Sequence, residues 1–285
     1  MLDNTAATAG SLAAIDESRQ VASAQRNYRI RIRAAQAVLI IVVLAIWQLG
    51  SDGIFDKFYS GSPSGIFAIL SADLRDAGFY HDLYVTGIEM SLGYLFGAFF
   101  GILLGALLAR WRFVADVLDP FFVALNSIPR IALAPLLIIW FGIDVASKVV
   151  LSATLVFFLT FFSTLSGIRG VDRGLLDVAR VMGANDRQIF FKVLLPGSVT
   201  WIVSGLRLSL PFALIGVIVG EFLAASSGLG YRLNMYSTSY NTNGTFAMIL
   251  VMMVFMMLLN AALNRIEARA LRWRGAGQST QMNSF

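Results

Sequence analysis

The sequence predicts an all-α integral membrane protein with six transmembrane helices, and three observations carry that reading. Of its 285 residues 57% are hydrophobic and 14% charged, with a mean hydropathy of +0.72, more apolar than a soluble core of this size uses. The apolar residues gather into six long runs separated by polar segments. Charge is distributed unevenly about those runs: sixteen of the 22 Lys and Arg fall on one side of a six-span layout, while Lys57, Arg75, Lys148 and Arg232 fall on the other and Arg130 and Arg207 lie within spans. Because basic residues concentrate in cytoplasmic segments, this asymmetry places both termini inside.

The elements follow in order. Residues 1–28 are rich in Ala, Ser, Thr, Asp, Glu and Gln and hold no apolar core for a signal peptide, so they are expected to be mobile, within a cytoplasmic N-terminal tail, 1–33. Arg29, Arg31 and Arg33 precede the first span, 34–49. Residues 51–83 are polar enough to lie outside, with Ser62-Pro63 opening an interfacial helix that aligns Ile66, Phe67, Leu70 and Leu74. The second span, 84–109, carries Gly93, Gly97, Gly101 and Gly105 on one face, where small residues let two helices approach closely. Glu89 lies one step before that stripe, and Arg110 and Arg112 mark the turn after it.

The third span, 120–141, contains Pro129 and Pro135 and should be kinked, with Asn126, Ser127 and Arg130 beside the break. A fourth, ending near residue 168, presents Phe157, Phe158, Phe161 and Phe162 for packing. The fifth, 199–223, holds Arg207, Pro211 and, at its far end, Glu221; a sixth, 246–263, completes the set. Spans and connections make up a six-span domain, 34–264, followed by a cytoplasmic C-terminal tail, 265–285. Broken spans border translocation routes, so Asn126, Arg130, Arg207 and Glu221 are the candidate path residues. The two arginines would suit a small anion; snorkelling, or pairing with Asp119 or the neighbours of Glu221, is the competing expectation.

Between the fourth and fifth spans lies the charged segment 169–196. Two short amphipathic helices are expected there, over Leu175–Met182 and Ile189–Leu194, with left-handed Gly183 between them, Asn185 or Asp186 capping the second and Pro196 ending it. The segment reads Asp177, Val178, Ala179, three residues, Gly183, nine residues, Val193, one residue, Leu195-Pro196. That pattern resembles the cytoplasmic signature of type I ABC importer permeases, Glu-Ala-Ala, three residues, Gly, nine residues, Ile-x-Leu-Pro, with Asp177 in place of Glu and Val178 in place of Ala. Gly61-Ser62-Pro63-Ser64, and Glu221 followed by Ala224-Ala225-Ser226-Ser227-Gly228-Leu229-Gly230-Tyr231, are similar to the nitrate, sulfonate and taurine branch.

The resemblance implies a type I ABC importer permease fold in the bacterial cytoplasmic (inner) membrane, with Asp177, Val178, Ala179, Met182, Gly183, Ala184, Val193, Leu195 and Pro196 coupling to a separate ABC ATPase dimer. It implies a second permease copy, most simply a homodimer, and an extracytoplasmic substrate-binding protein delivering a sulfonate, nitrate, taurine or similar small anion. A neutral or cationic metabolite such as a pyrimidine precursor is the alternative. No cofactor, metal or nucleic acid is expected: there is no cysteine, one histidine, and the basic residues flank apolar runs. None of Lys57, Lys148 and Lys192 follows a glycine-rich phosphate loop, and no His-Glu-x-x-His or Gly-x-Ser-x-Gly pattern supports the rival reading, an intramembrane enzyme.

Overall fold

The computed structural model describes residues 3–53 and 56–270, with side chains in all of these except 3–24, 26, 112, 268 and 270. Among the described residues every regular element is helical, and the chain divides into two compact units between Phe67 and Ala68. In the first unit, α1 runs from Asp3 to Gly53. The polar residues ahead of the first span thus continue its helix upstream, which their Ala, Glu, Gln and Arg content favours. The short helix α2, Lys57–Ser60, is capped by Asp56, which accepts from the Phe58 N–H at 2.9 Å. Two bonds tie the following turn to the end of α1: Trp47 Nε1 donates to the Ser60 carbonyl at 3.1 Å and Ser64 N–H to Gln48 Oε1 at 3.1 Å. Pro63, whose missing N–H costs nothing in a first turn, opens α3, Pro63–Asp73.

The second unit holds α4 (Ala77–Arg110), α5 (Arg112–Ser127), α6 (Ala134–Phe141), α7 (Val145–Arg169), α8 (Arg173–Val181), α9 (Asp186–Ile189), α10 (Leu195–Leu223), α11 (Leu229–Thr238) and α12 (Thr242–Ala270). Asp76 caps α4 by accepting from the Gly78 N–H at 3.0 Å, so this helix starts seven residues before the expected span. Across the described residues, five helical stretches are long and apolar enough to cross a membrane: Asn27–Gly53, Ala77–Arg110, Val145–Arg169, Asp186–Leu223 and Thr242–Glu267. Counting α5 and α6 as one bent pair gives six.

That pair corrects the single kinked span expected over 120–141. Pro129 pushes the preceding Ile128 into an extended conformation, φ −67° and ψ 129°, which ends α5 at Ser127. A 3-10 turn over Arg130–Leu133 follows, and Pro135 sits in the first turn of α6, where it is tolerated. The two halves meet at 76°. Pro120, taken as the start of the span, lies inside α5 instead.

Three helices form the frame. The glycines of α4 lie on α7: Gly93 against Val149 and Ser152, Gly97 against Ala153 and Val156, Gly101 against Phe157 and Thr160, Gly105 against Phe161 and Thr164. On its other side α7 meets Gly205, Gly216 and Gly220 of α10 through Ser163, Ser152 and Lys148. Met90, Ala98, Val156, Leu210, Ala213, Leu214 and Val217 fill the space where the three converge. Phe161 is buried in a neighbouring cluster, stacked on Phe122 with ring centroids 4.5 Å apart. Backbones that approach this closely are held by dispersion, because lipid tails offer no hydrophobic drive toward association.

A methyl group at Gly101 would collide with Thr160 and the Phe157 carbonyl, whereas one at Gly87 would meet only the Phe255 ring at 3.9 Å. Gly101→Val should therefore destabilise the fold by about 1–3 kcal/mol or more through overpacking. Thermal unfolding in detergent should show a lowered midpoint for Gly101→Val and an unchanged one for Gly87→Ala; equal midpoints would remove the seam from the account.

Candidate functional site

The hairpin of α8 and α9 is built by local hydrogen bonds. Asp172 caps α8 by accepting from Gly174 N–H at 2.8 Å. At its other end Gly183 N–H donates to the Arg180 carbonyl at 2.9 Å and Ala184 N–H to the Ala179 carbonyl at 3.0 Å, with Gly183 at φ +82°. This is a Schellman closure, and it explains the spacing of Ala179 and Gly183: the first supplies the carbonyl and the second the left-handed residue four positions on. Asn185 and Gln188 then form a capping box, each side chain bonding the other's backbone N–H at 2.9 Å. The hairpin is stiff and leaves apolar side chains uncovered: Leu175, Val178, Val181 and Met182 are 57–89% exposed. Asp177 pairs with Arg180 on the same helix at 3.3 Å.

Pro196 does not end the second helix. From Phe190 to Leu194 the chain is π-helical, Leu195 N–H reaching the Phe190 carbonyl five residues back, and α10 continues directly, so Val193, Leu195 and Pro196 lie inside one helical stretch from Asp186 to Leu223. The widened turn renews the helical register, which leaves Pro196 at a first-turn position that requires no N–H.

At the broken span, Arg130 serves the open end of α5. Its guanidinium donates to the Asn126 carbonyl at 3.0 Å and also to the Asn126 side chain, and lies 4.3 Å from the Phe158 ring centroid. A cation at a helix C-terminus meets the negative end of the helix dipole. Among the described residues no carboxylate pairs with Arg130, and its Nε is buried without a hydrogen-bond partner. Arg207 pairs with Glu267 of α12. That corrects the expected partners, Asp119 or carboxylates near Glu221; α12 brings Glu267 beside α10, which the separation of 60 residues concealed.

Glu221 is 1% exposed and forms part of a socket for the start of α11. Three successive backbone N–H groups are received by side chains of other helices: Gly228 by Asp82 Oδ1 at 2.8 Å, Leu229 by Thr86 Oγ1 at 2.8 Å, and Gly230 by Glu221 Oε2 at 2.6 Å. The Thr86 hydroxyl in turn donates a hydrogen bond to Glu221 Oε1 at 2.6 Å. A helix start leaves its first N–H groups without partners, and here α4 and α10 supply them. One turn later Arg232 bonds Asp82 at 2.7 Å, Asp76 at 2.9 Å and Asp73 at 3.0 Å, and Tyr236 donates to Asp73 at 2.9 Å. Burial, together with that bond, pushes the Tyr236 hydroxyl up to about 12. Beside Glu221 stands Glu89, also 1% exposed, with Lys148 Nζ 3.8 Å from its Oε1. Arg232 and Lys148, placed on the outer side of the six-span layout, are buried ion-pair members.

Asp73, Asp76, Asp82, Thr86, Lys148 and Arg232 were not among the expected site residues. The signal lay in α4: Asp82, Thr86 and Glu89 extend the stripe of Gly93, Gly97, Gly101 and Gly105 backward on the same face at steps of three and four. Starting the span at residue 84 cut Asp82 away from it.

The Arg232 side chain, followed by the Gly78 N–H, holds the Asp76 carboxyl below its ordinary value. Its contribution is complete above the unfolded value of about 3.9 and is lost as pH falls through the lower folded one. Unfolding midpoints taken from about pH 6 to pH 3 should fall less steeply for Asp76→Ala than for the unaltered chain. Parallel curves would show that this tie adds no stability.

A family described as "Binding-protein-dependent transport system inner membrane component" matches residues 97–272. The putative aliphatic sulfonates transport permease protein SsuC of Bacillus subtilis (strain 168) is 34% identical over 240 residues, 84% of this chain and 87% of its own length. The formylaminopyrimidine transport permease protein ThiX of Halalkalibacterium halodurans is 32% identical, covering 83% of this chain and 94% of its own. For the taurine transport system permease protein TauC of Escherichia coli (strain K12) the identity is 29%, with 84% and 89% covered. In solved structures, the inward-facing MetNI methionine ABC transporter shares the fold with a TM-score of 0.52 and 23% identity, over 72% of this chain and 97% of that one. The type I importer permease fold expected from the sequence is therefore the fold observed, and the chain belongs to the binding-protein-dependent inner membrane components, the multi-pass permease subunits of bacterial ABC importers.

Proposed function

We propose that this permease forms the membrane path for a small organic anion of the sulfonate or taurine type, and that the α8–α9 hairpin docks on the importer's separate ATPase from the cytoplasmic side. The observation that carries the docking is the apolar face of α8, held outward on a doubly capped hairpin. An element that transmits ATPase closure must be stiff and must offer a surface worth covering, and Leu175, Val178, Val181 and Met182 supply about 1.5–3 kcal/mol each when fully buried. The charge asymmetry about the spans supports cytoplasmic termini and a cytoplasmic hairpin. A binding protein delivers the solute from the opposite side.

The anion reading rests on Arg130, the cation beside the broken span that lacks a carboxylate partner among the described residues, and on the substrates named for SsuC and TauC. Side chains along the broken span are exposed in the single chain, among them Asn126 of α5, Ile128 and Ile131 at the break, and Ile139 and Trp140 of α6. A second copy of the chain facing this surface encloses the path. The formylaminopyrimidine named for ThiX defines the competing substrate class.

Substitutions at two positions test these parts separately. At φ +82° with open space around it, Gly183 tolerates Asn far better than a β-branched residue, for which the left-handed region costs about 1–2 kcal/mol or more. Gly183→Val should insert and dimerise normally yet lose ATPase on co-purification, while Gly183→Asn retains it; equal retention removes the hairpin from coupling. Arg130→Gln in reconstituted vesicles should lower taurine and alkanesulfonate uptake at least about tenfold while a neutral aminopyrimidine is unaffected. The reverse order of effects would contradict the anion reading.

A further inference from the structure

The aromatic stretch of α7 makes one contact that packing alone does not require. Phe161 is buried, stacked on Phe122 of α5 and on Phe157. Phe158 joins the same cluster edge-on to Phe157, with ring centroids 5.0 Å apart, and lies 6.3 Å from the Phe162 ring. Phe157 is itself anchored, because its carbonyl lies against Gly101 in the seam with α4. The Phe158 ring is therefore a platform with little freedom to turn, and the Arg130 guanidinium sits over it, 4.3 Å from the centroid.

The nitrogens of that guanidinium are used unequally. Nη2 is committed to Asn126, bonding its carbonyl at 3.0 Å and its side-chain oxygen as well. Nε is enclosed without a partner. Nη1 makes no hydrogen bond among the described residues and is not enclosed. How the group is supported decides what it has left to offer. A carboxylate would hold a guanidinium and cancel its charge, as Glu267 does for Arg207. A ring face attracts a cation through its quadrupole yet carries no net charge, and the Asn126 groups are neutral too. Arg130 is thus fixed at one edge and one face while keeping its net positive charge, with Nη1 left over.

We propose that Phe158 is a positioning residue for anion transport: its ring face holds the Arg130 guanidinium at the broken span without neutralising it, so that Nη1 is free to bond an oxygen of the passing sulfonate. This rests on the anion reading of the path and adds to it the residue that keeps the cation in place. It also gives one of the four phenylalanines of α7 a role other than packing.

Because the contact is electrostatic, fluorine tests it: each fluorine on the ring withdraws charge from its face and changes its volume little. Phe158 is replaced in turn by mono-, di- and trifluorophenylalanine, and uptake of taurine and methanesulfonate is measured in proteoliposomes holding the full importer with its ATPase and binding protein. Uptake should fall stepwise along the series, about tenfold at its end, while the unfolding midpoint and ATPase co-purification stay unchanged. The same series in an Arg130→Gln background, or placed at Phe122, should have no effect on uptake. A flat series at Phe158, or an equal response at Phe122 or without Arg130, overturns the role of Phe158, because a ring that only packs responds to volume and not to charge. The anion reading survives that result so long as Arg130→Gln alone lowers uptake. If Arg130→Gln leaves uptake unaltered, or the unaltered importer carries neither anion, the anion reading falls and the role of Phe158 falls with it.

Discussion

In hydrocarbon there is no water to satisfy a backbone N–H or C=O, so every departure from continuous helix must find partners within the protein. Three departures among the described residues show how that is done. At the end of α5 the freed carbonyl of Asn126 is taken by the Arg130 guanidinium. Between α9 and α10 a π-helical stretch absorbs a proline without breaking the helix. At the start of α11 the first three N–H groups go to Asp82, Thr86 and Glu221 of neighbouring helices. The last is the most demanding arrangement, since side chains from elsewhere must be positioned to a fraction of an ångström.

That positioning comes from the frame. One face of α4 is divided by chemistry: Asp82 and Thr86 bind the short helix, Glu89 faces Lys148 of α7, and Gly93, Gly97, Gly101 and Gly105 admit the backbone of α7. The glycine stretch fixes the distance between α4 and α7, and thereby the place of Lys148 relative to Glu89. A seam of backbone against backbone deforms little, because neither side has a rotamer to change.

Much of this was legible in the sequence because local rules suffice for it. Gly183 between two amphipathic patterns announces a left-handed helix end, Asn185 with Gln188 a capping box, Pro129 a break, and the four-residue glycine spacing a close helix pair. What was not legible depended on contacts between distant segments. Nothing near Arg207 marks Glu267 as its partner, and Lys148 and Arg232 read as ordinary outward charges until α4 supplies their acids. Pro196 was taken as a stop because a π-helical turn has no propensity signature. Asp82 went unnoticed because the span was begun where hydrophobicity begins, two residues after it, whereas the Asp76 cap starts the helix earlier.

The central claim is that α11 is held by its backbone in a socket of side chains from α4 and α10. Amide hydrogen exchange at Gly228, Leu229 and Gly230, measured on the permease in nanodiscs, addresses it most directly, since the first N–H groups of an ordinary helix exchange freely. Protection at these three amides comparable to that in the middle of α4, lost on Asp82→Ala, is the predicted result. Free exchange at all three in the resting complex would contradict the account.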